Sequence, residues 1–130
     1  MNEQIQFYEG KLKFEIDSWD LFESINQGKD IKVIDARSSE AFALEHIPIA
    51  LNIPHRTMSL ENTSHLNKET LYVIYCDGIG CNASTKGALN MTKLGFRVKE
   101  LLGGLDWWKR DGYQTEGKQA SDGQKITCGC

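Results

Sequence analysis

The chain has 130 residues, 25% of them charged, and a formal net charge of −3, so its length suits one domain with a core of its own. The mild negative charge and the lack of any basic run argue against nucleic acid as a partner, because phosphate backbones are bound by clustered lysine and arginine. The first residues form no secretory signal, and no apolar stretch approaches the roughly 18 residues that span a bilayer. We therefore expect a cytoplasmic protein with no membrane partner, in which thiols stay reduced.

The first part of the chain predicts a strand, a helix and a second strand. Residues 11–16 alternate polar and apolar side chains, which predicts an edge strand. Asp17, supported by Asp20, is a typical helix N-cap, and Gly28 predicts the end of the helix that follows. The apolar side chains expected on the buried face of this helix are Trp19, Phe22 and Ile25. Residues 31–34 are mostly β-branched and predict the next strand.

The middle of the chain contains its strongest strand signal. A short helix is predicted from Ser39, and Pro48 breaks the chain after it. Residues 50–53 predict another brief strand. Residues 71–75, Leu-Tyr-Val-Ile-Tyr, are apolar on both faces, as a central strand of a parallel sheet must be.

The last third predicts a helix, a strand and a short helix. Residues 83–94 predict a helix that stops at Gly95, and residues 98–102 predict a strand. The short helix after them carries Trp107 and Trp108. We expect one of these rings in the core and the other partly exposed.

Strands that alternate with helices predict an α/β fold around a parallel sheet. We predict one domain over residues 1–117 and a flexible tail over residues 118–130, because the tail is rich in Gly, Ser, Gln and Lys. This tail ends in Cys128-Gly-Cys130.

Cys76 directly follows the strongest strand, at the end of the sheet where α/β proteins bind their ligands. Gly78 and Gly80 allow unusual backbone conformations, so the N–H groups of this loop can turn inward around an anion, and a helix N-terminus near Ala83 adds positive charge. We expect these donors to lower the pKa of the Cys76 thiol and to stabilise a thiolate or persulfide. The competing interpretation is a buried cysteine that only packs at the strand end. The candidate loop consists of Cys76, Asp77, Gly78, Ile79, Gly80, Cys81, Asn82, Ala83 and Ser84.

The sequence around this cysteine resembles the rhodanese homology domain. Val33-Ile-Asp35-Ala-Arg37, Glu40-Ala-Phe42 and His46-Ile-Pro48 resemble its first signature. Leu102-Gly103-Gly104-Leu-Asp-Trp-Trp108 resembles its second, Gly-Gly-x-x-x-Trp. Cys76 stands at the place of the family's persulfide-forming cysteine. The resemblance covers residues 13–117 and implies a rhodanese-like three-layer fold, a central parallel sheet of about five strands flanked by helices. It also implies a sulfurtransferase that takes sulfane sulfur onto Cys76 as a persulfide, without a cofactor or a metal.

Two features of the first signature follow from the same resemblance. Asp35 and Arg37 are expected to support the site, because the family's Asp-x-Arg steadies the strand end and the neighbouring loops. Glu45 and Ile49 replace the two glycines of the family's Gly-His-Ile-Pro-Gly-Ala, which changes a turn rather than the chemistry.

The loop itself departs from the family in length and in charge. It is longer than the usual loop, with an end between residues 81 and 84, and it carries no Arg or Lys. Asn82 stands where a cysteine phosphatase or arsenate reductase needs an arginine to bind its oxyanion, so we disfavour both activities. We expect Asp77 to repel thiosulfate, which favours a persulfide or polysulfide as the donor.

The remaining cysteines leave alternatives open. Cys81 is interpreted as a resolving thiol for Cys76, as a relay for its sulfur, or as a packing residue. Cys128 and Cys130 can relay sulfur, exchange disulfides or bind a soft metal, or else belong to an uninvolved tail. A zinc site is disfavoured by the ligand spacing.

Two functional hypotheses result. The first is a sulfurtransferase that takes sulfur from a small-molecule or protein donor and passes it from Cys76 to a thiol or another nucleophilic acceptor. The alternative is a non-catalytic sulfur carrier, or a dithiol redox-sensing module that uses Cys76 and Cys81.

Overall fold

Five parallel strands form one sheet in the computed structural model, which describes residues 2–120. The strand order is β1-β5-β4-β2-β3, so β4 lies at the centre of the sheet. In chain order the elements are α1 (Asn2–Phe14), β1 (Glu15–Ile16), α2 (Ser18–Asn26), β2 (Ile31–Asp35), α3 (Ser39–Leu44), β3 (Leu51–Asn52), a 3-10 turn (His55–Thr57), β4 (Leu71–Tyr75), α4 (Ala83–Lys93), β5 (Arg97–Leu101) and α5 (Gly104–Arg110).

The strands β2 and β4 carry the core of the protein on both faces. Each is paired along its whole length, from Ile31 opposite Leu71 to Asp35 opposite Tyr75. Because successive side chains point to opposite faces, the two strands supply two separate cores. One core joins Val33, Val73 and Tyr75 to Leu21 of α2 and to Leu105 and Trp108 of α5. The other joins Ile34, Tyr72 and Ile74 to Met91 of α4 and to Phe96. The predicted α/β fold, a parallel sheet between two layers of helices, is confirmed.

The predicted edge strand over residues 11–16 is wrong for most of its length. Only Glu15 and Ile16 pair with β5, at the edge of the sheet, and the residues before them belong to α1. No residue of α1 is buried, so no core selects the strand form. The chain here is rich in good helix formers, and Lys11 forms an ion pair with Glu15 one helical turn later.

The helix α2 begins as predicted but buries a different face. The Asp17 carboxylate accepts a hydrogen bond from the amide of Asp20, as expected for the N-cap. Leu21 is fully buried, whereas Trp19, which we expected in the core, is 60% exposed. The buried side of the helix starts at Ser18, and Trp19 lies about 100° away from that position around the helix axis.

The end of the described chain is joined to α3. The amides of Lys118 and Gln119 donate hydrogen bonds to the carbonyls of Ala43 and Leu44. The domain limit at residue 117 and the flexible tail stay predictions, and Cys128 and Cys130 lie outside the described residues. Within residues 2–120, no helix is both long enough and apolar enough to cross a membrane.

Two tyrosines of β4 allow a matched test of this architecture. The buried hydroxyl of Tyr75 accepts from the Ile47 amide (3.0 Å) and donates to the Asp35 carboxylate (2.8 Å). The hydroxyl of Tyr72 donates to the carbonyl of Asn67. We expect Tyr75→Phe to lower the free energy of unfolding by about 2–3 kcal/mol, because it leaves the buried Ile47 amide unpaired and removes a hydrogen bond to the Asp35 carboxylate, and Tyr72→Phe by about 1 kcal/mol. Urea unfolding of both variants measures the difference, and equal losses would contradict it.

Candidate active site

Cys76 lies at the carboxyl end of β4, and only 1% of its surface is exposed. The loop after it ends at Asn82, because α4 begins at Ala83. The Asn82 side chain makes no capping hydrogen bond to this helix. Ala83 and Ser84, which we predicted as loop residues, therefore belong to the first turn of α4, and the loop joins the central strand to this helix.

The Cys76 thiol is surrounded mainly by hydrogen-bond acceptors. Its sulfur lies 3.1 Å from the Cys81 carbonyl oxygen and 3.8 Å from that of Gly78. The hydroxyl oxygen of Ser84, in the first turn of α4, lies 3.5 Å from the same sulfur. Such an arrangement suits a protonated thiol, since a carbonyl can accept the S–H proton but cannot stabilise a thiolate.

The pKa of Cys76 shifts in the direction opposite to our expectation. Burial raises this pKa, and the contact with the Cys81 side chain raises it further. The Ser84 hydroxyl and the backbone amides of Ser84 and Gly78 lower it, but they do not outweigh burial. The predicted lowering is wrong because the sequence pattern shows the donors of the loop and does not show how completely the sulfur is buried.

Close packing against α5 explains why residue 78 is a glycine. Backbone conformation explains neither this glycine nor the one at residue 80. Neither Gly78 nor Gly80 has a positive φ, so neither adopts the unusual backbone conformation that we expected. A Cβ atom on Gly78 would lie 3.3 Å from the Cβ of Asp106, whereas one on Gly80 would meet open space. Ile79 lies between them and is 84% exposed.

The N-terminus of α5 fixes the start of the loop. The amide of Leu105 donates to the carbonyl of Cys76 (2.9 Å), and the amide of Asp106 donates to that of Asp77 (2.8 Å). Gly104 allows this approach: its φ is +56°, and a Cβ there would lie 2.3 Å from the Cys76 carbonyl oxygen. The Gly-Gly signature thus serves the cysteine loop through its backbone.

Arg37 and Asp35 form a buried ion pair beside the loop. The guanidinium donates to both carboxylate oxygens of Asp35, with a shortest distance of 2.7 Å. It also donates to Asp77 in the loop (3.0 Å) and to the carbonyl of Glu45. Burial lowers the pKa of Arg37, but the bonds to Asp35 and Asp77 outweigh burial and raise it, so Arg37 stays charged. These contacts fit the supporting role expected for the pair.

Glu100 belongs to the site, although the sequence analysis did not identify it. Its carboxylate accepts hydrogen bonds from Ser84 and from Thr85, both at 2.7 Å. The available signal was its place near the carboxyl end of β5, the strand next to β4. Position alone does not separate it from the other charged residues of this strand.

A cleft of about 660 Å³ opens beside the loop. Its walls include Gly78, Ile79, Cys81, Ser84, Glu15 and Glu100. None of the described residues that line it is a lysine or an arginine. The cleft is therefore acidic, and Asp77 does not line it. Within residues 2–120, no group of three His, Cys, Asp or Glu side chains is placed to bind a metal ion.

Comparison with known proteins identifies the family. The sequence profile of the rhodanese-like domain matches residues 18–111. The chain belongs to the rhodanese-like family. The BH2092 protein from Bacillus halodurans has a similar structure, with a TM-score of 0.87 and 40% sequence identity over 92% of this chain and 88% of that protein. The Alr3790 protein from Anabaena sp. has a TM-score of 0.71 and 27% identity, over 78% of this chain and 80% of that protein.

Two further relatives have lower sequence identity or match only part of a longer protein, so they show less about this chain. A rhodanese-related protein from Thermoplasma volcanium is 24% identical over 79% of this chain and 97% of its own, with a TM-score of 0.68, and shows the fold alone. The adenylyltransferase and sulfurtransferase uba4 from Ogataea parapolymorpha is 28% identical over 79 residues. The match covers 60% of this rhodanese-like chain and only 20% of that protein.

A pair of glycine substitutions tests the fit between the cysteine loop and α5. Gly104→Ala should destabilise the rhodanese-like domain by about 2 kcal/mol or more, because it adds a clash to a strained φ. Gly80→Ala, in the same site but in open space, should change the stability by less than about 0.5 kcal/mol. Thermal and urea unfolding provide the comparison. A stable Gly104→Ala variant would show that the loop is not packed as described.

Proposed function

We propose that this rhodanese-like chain is a sulfurtransferase that carries sulfur as a persulfide on Cys76. The observation that carries the proposal is the position of Cys76 at the end of the central strand, where the backbone amides of Ser84 and Gly78 counteract the rise in the pKa of its thiol that burial causes. Ligands of α/β sheets bind at this end of the strands. Amides fixed in this way stabilise an anionic sulfur more than a neutral thiol.

The proposed transfer has two steps. In the first, the Cys76 thiolate attacks the outer sulfur of a persulfide donor, R–S–SH. An S–S bond forms to Cys76, the S–S bond of the donor breaks, and the donor leaves as the thiolate R–S⁻. In the second step an acceptor thiolate, R′–S⁻, attacks the outer sulfur, takes it as R′–S–SH and leaves Cys76 as a thiolate. The covalent intermediate divides the transfer into two easier reactions.

The charge around the loop supports an uncharged or cationic group near the transferred sulfur of the donor. Asp77, which we expected to repel thiosulfate, is paired with Arg37 and faces away from the cleft. Repulsion of an anion comes instead from Glu100, since no basic residue is among the described walls of the cleft and Glu15, in the same walls, is paired with Lys11. A protein persulfide or an organic polysulfide, R–Sₙ–R′, bound through apolar contacts with the exposed Ile79 fits this surface better than thiosulfate.

The comparisons support sulfur transfer as the general chemistry of the family. The uba4 protein is named as an adenylyltransferase and sulfurtransferase, and this chain matches 20% of that protein. The site gives little support to the phosphatase and arsenate reductase alternatives. Asn82 brings no charge, and the nearby guanidinium of Arg37 is already bonded to Asp35, Asp77 and the Glu45 carbonyl.

One observation favours the dithiol alternative. The Cys81 side chain raises the pKa of the Cys76 thiol, and the Cys81 carbonyl oxygen lies 3.1 Å from the Cys76 sulfur, so the two cysteines of the loop are neighbours. Cys81 is also less buried than Cys76 and can meet an oxidant first. In this second candidate function, oxidation of the pair to a disulfide replaces persulfide formation.

Intact-mass measurement of the loaded protein separates these functions. We expect the reduced chain, treated with inorganic polysulfide without oxygen, to gain the mass of one sulfur atom that a thiol reductant removes. Cys76→Ser should lose this gain, and Cys81→Ser is the matched control that should keep it. Loss of two hydrogens that requires Cys81, without added sulfur, would replace the sulfurtransferase proposal by the redox one. Repeated release of sulfide in the presence of an excess of a small thiol distinguishes an enzyme from a carrier.

A further inference from the structure

A chain of hydrogen bonds leads from the Cys76 thiol to a carboxylate. The sulfur lies 3.5 Å from the hydroxyl oxygen of Ser84, and that hydroxyl donates to Glu100 Oε2 at 2.7 Å. A serine hydroxyl has one proton and two lone pairs. Because the proton of Ser84 is directed at Glu100, its lone pairs are available to the S–H proton of Cys76.

The backbone fixes the three groups of this chain in place. Cys76 follows β4, Ser84 lies in the first turn of α4, and Glu100 is paired in register with Ile74 of β4. Thr85 donates a second hydrogen bond, 2.7 Å long, to the same Oε2 of Glu100. Two successive hydroxyls of α4 therefore orient one carboxylate oxygen toward the sulfur site.

The buried thiol needs such a partner. Burial raises the pKa of Cys76, so little thiolate is present at neutral pH. The loop carries no histidine or lysine that can take the proton. The nearby Arg37 is already paired with Asp35 and Asp77. Enzymes activate a weak nucleophile in this situation by an adjacent general base.

We propose that Glu100 accepts the proton of the Cys76 thiol through the hydroxyl of Ser84 when Cys76 attacks its sulfur donor. The S–H proton moves to Ser84 Oγ, and the Ser84 proton moves to Glu100 Oε2. The electron pair left on sulfur forms the new S–S bond, and the thiolate that leaves the donor takes the proton back from Glu100. The inference rests on the proposed function for its sulfur donor, but proton transfer from Cys76 is measurable without it.

The position of Glu100 in the cleft wall completes this cycle. Glu100 is half-buried, and it lines the same cleft as the loop. A leaving thiolate in that cleft can therefore reach the proton that Glu100 has received. Ser84 is too buried to exchange protons with the donor by itself.

Several other ionisable groups face Glu100. Cys81 lies across the cleft, and Glu15 lies beside Glu100 on β1, where its carboxylate is paired with Lys11 of α1. The cations that share a surface groove with Glu100 are Lys11, Lys13, Arg97 and Lys99. Glu15 gives a matched control, since its carboxylate lines the same cleft. This carboxylate is bonded to Lys11 and, within the part of the chain that the structure describes, forms no hydrogen bond to Ser84 or Cys76.

The test compares Glu100→Gln with Glu15→Gln. The probes are inorganic polysulfide, followed by mass, and iodoacetamide, followed by alkylation of the peptide that contains Cys76. At neutral pH we expect Glu100→Gln to slow both reactions by about 100-fold, because Gln cannot accept a proton. Glu15→Gln should stay within about twofold of the parent in both, since Lys11 and solvent screen its charge. Unfolding curves establish that both variants are folded.

The pH profile separates proton transfer from a structural effect. At pH values above the raised pKa of Cys76, the thiolate forms without a base, so the rate of Glu100→Gln should approach that of the parent. A structural defect would lower the rate by the same factor at every pH and would overturn the inference. A rate for Glu100→Gln equal to or above the parent at neutral pH would also overturn it, because Glu100 would then act only by repelling the thiolate.

A double-mutant cycle checks the path through Ser84. Ser84→Ala keeps the backbone amide at the sulfur and removes the bridging hydroxyl, so it should slow alkylation as much as Glu100→Gln. The double variant should be no slower than either single one, whereas independent effects would multiply and contradict the relay. If the parent alkylates with this pattern but gains no sulfur from polysulfide, the sulfurtransferase proposal fails and the relay stands. If it gains sulfur but Glu100→Gln changes neither profile, the relay fails alone.

Discussion

The guanidinium of Arg37 is nearly shielded from water and meets three segments of the chain at once. It bonds to Asp35 at the end of β2, to Asp77 in the cysteine loop and to the carbonyl of Glu45 after α3. A buried charge is stable only when it is fully paired, and removal of one partner of such a pair costs about 3–5 kcal/mol. Asp35 also accepts the hydroxyl of Tyr75, so the ends of β2 and β4 and the start of the loop form one unit.

This use of Arg37 determines the chemistry left to the rest of the site. Its positive charge is neutralised by the carboxylates of Asp35 and Asp77. The cleft beside the loop is lined by Glu15 and Glu100. An oxyanion meets repulsion there, whereas a neutral sulfane sulfur does not. The Asp-x-Arg motif thus acts on the cysteine loop through the bond from Arg37 to Asp77. Among the residues that the structure describes, Arg37 forms no hydrogen bond to the Cys76 sulfur.

The sequence predicts the parts of this structure that burial on both faces dictates. The bounds of β4 and the start of α4 follow from an uninterrupted apolar run and the loop after it, and Trp108 is buried while Trp107 is partly exposed, as expected. The prediction of a strand over residues 11–14, the last turn of α1, is wrong, because a short alternating segment with no buried side chain has no core to select its form. Glu100 escapes prediction for a related reason, since its role depends on a hydroxyl from α4 that only the tertiary structure brings near.

The raised pKa of Cys76 has two consequences for the site, one for oxidation of the cysteine and one for its reactivity. Thiolates are oxidised more readily than thiols, so a buried, protonated cysteine is protected while no donor is bound. The same burial makes Cys76 a poor nucleophile at neutral pH, and the amides of Ser84 and Gly78 do not compensate for it by themselves. The proposed relay removes the proton of Cys76 at the moment of attack. In the described structure, Ser84 and Glu100 are the groups placed to supply that removal, because they connect the closed sulfur site to the open cleft.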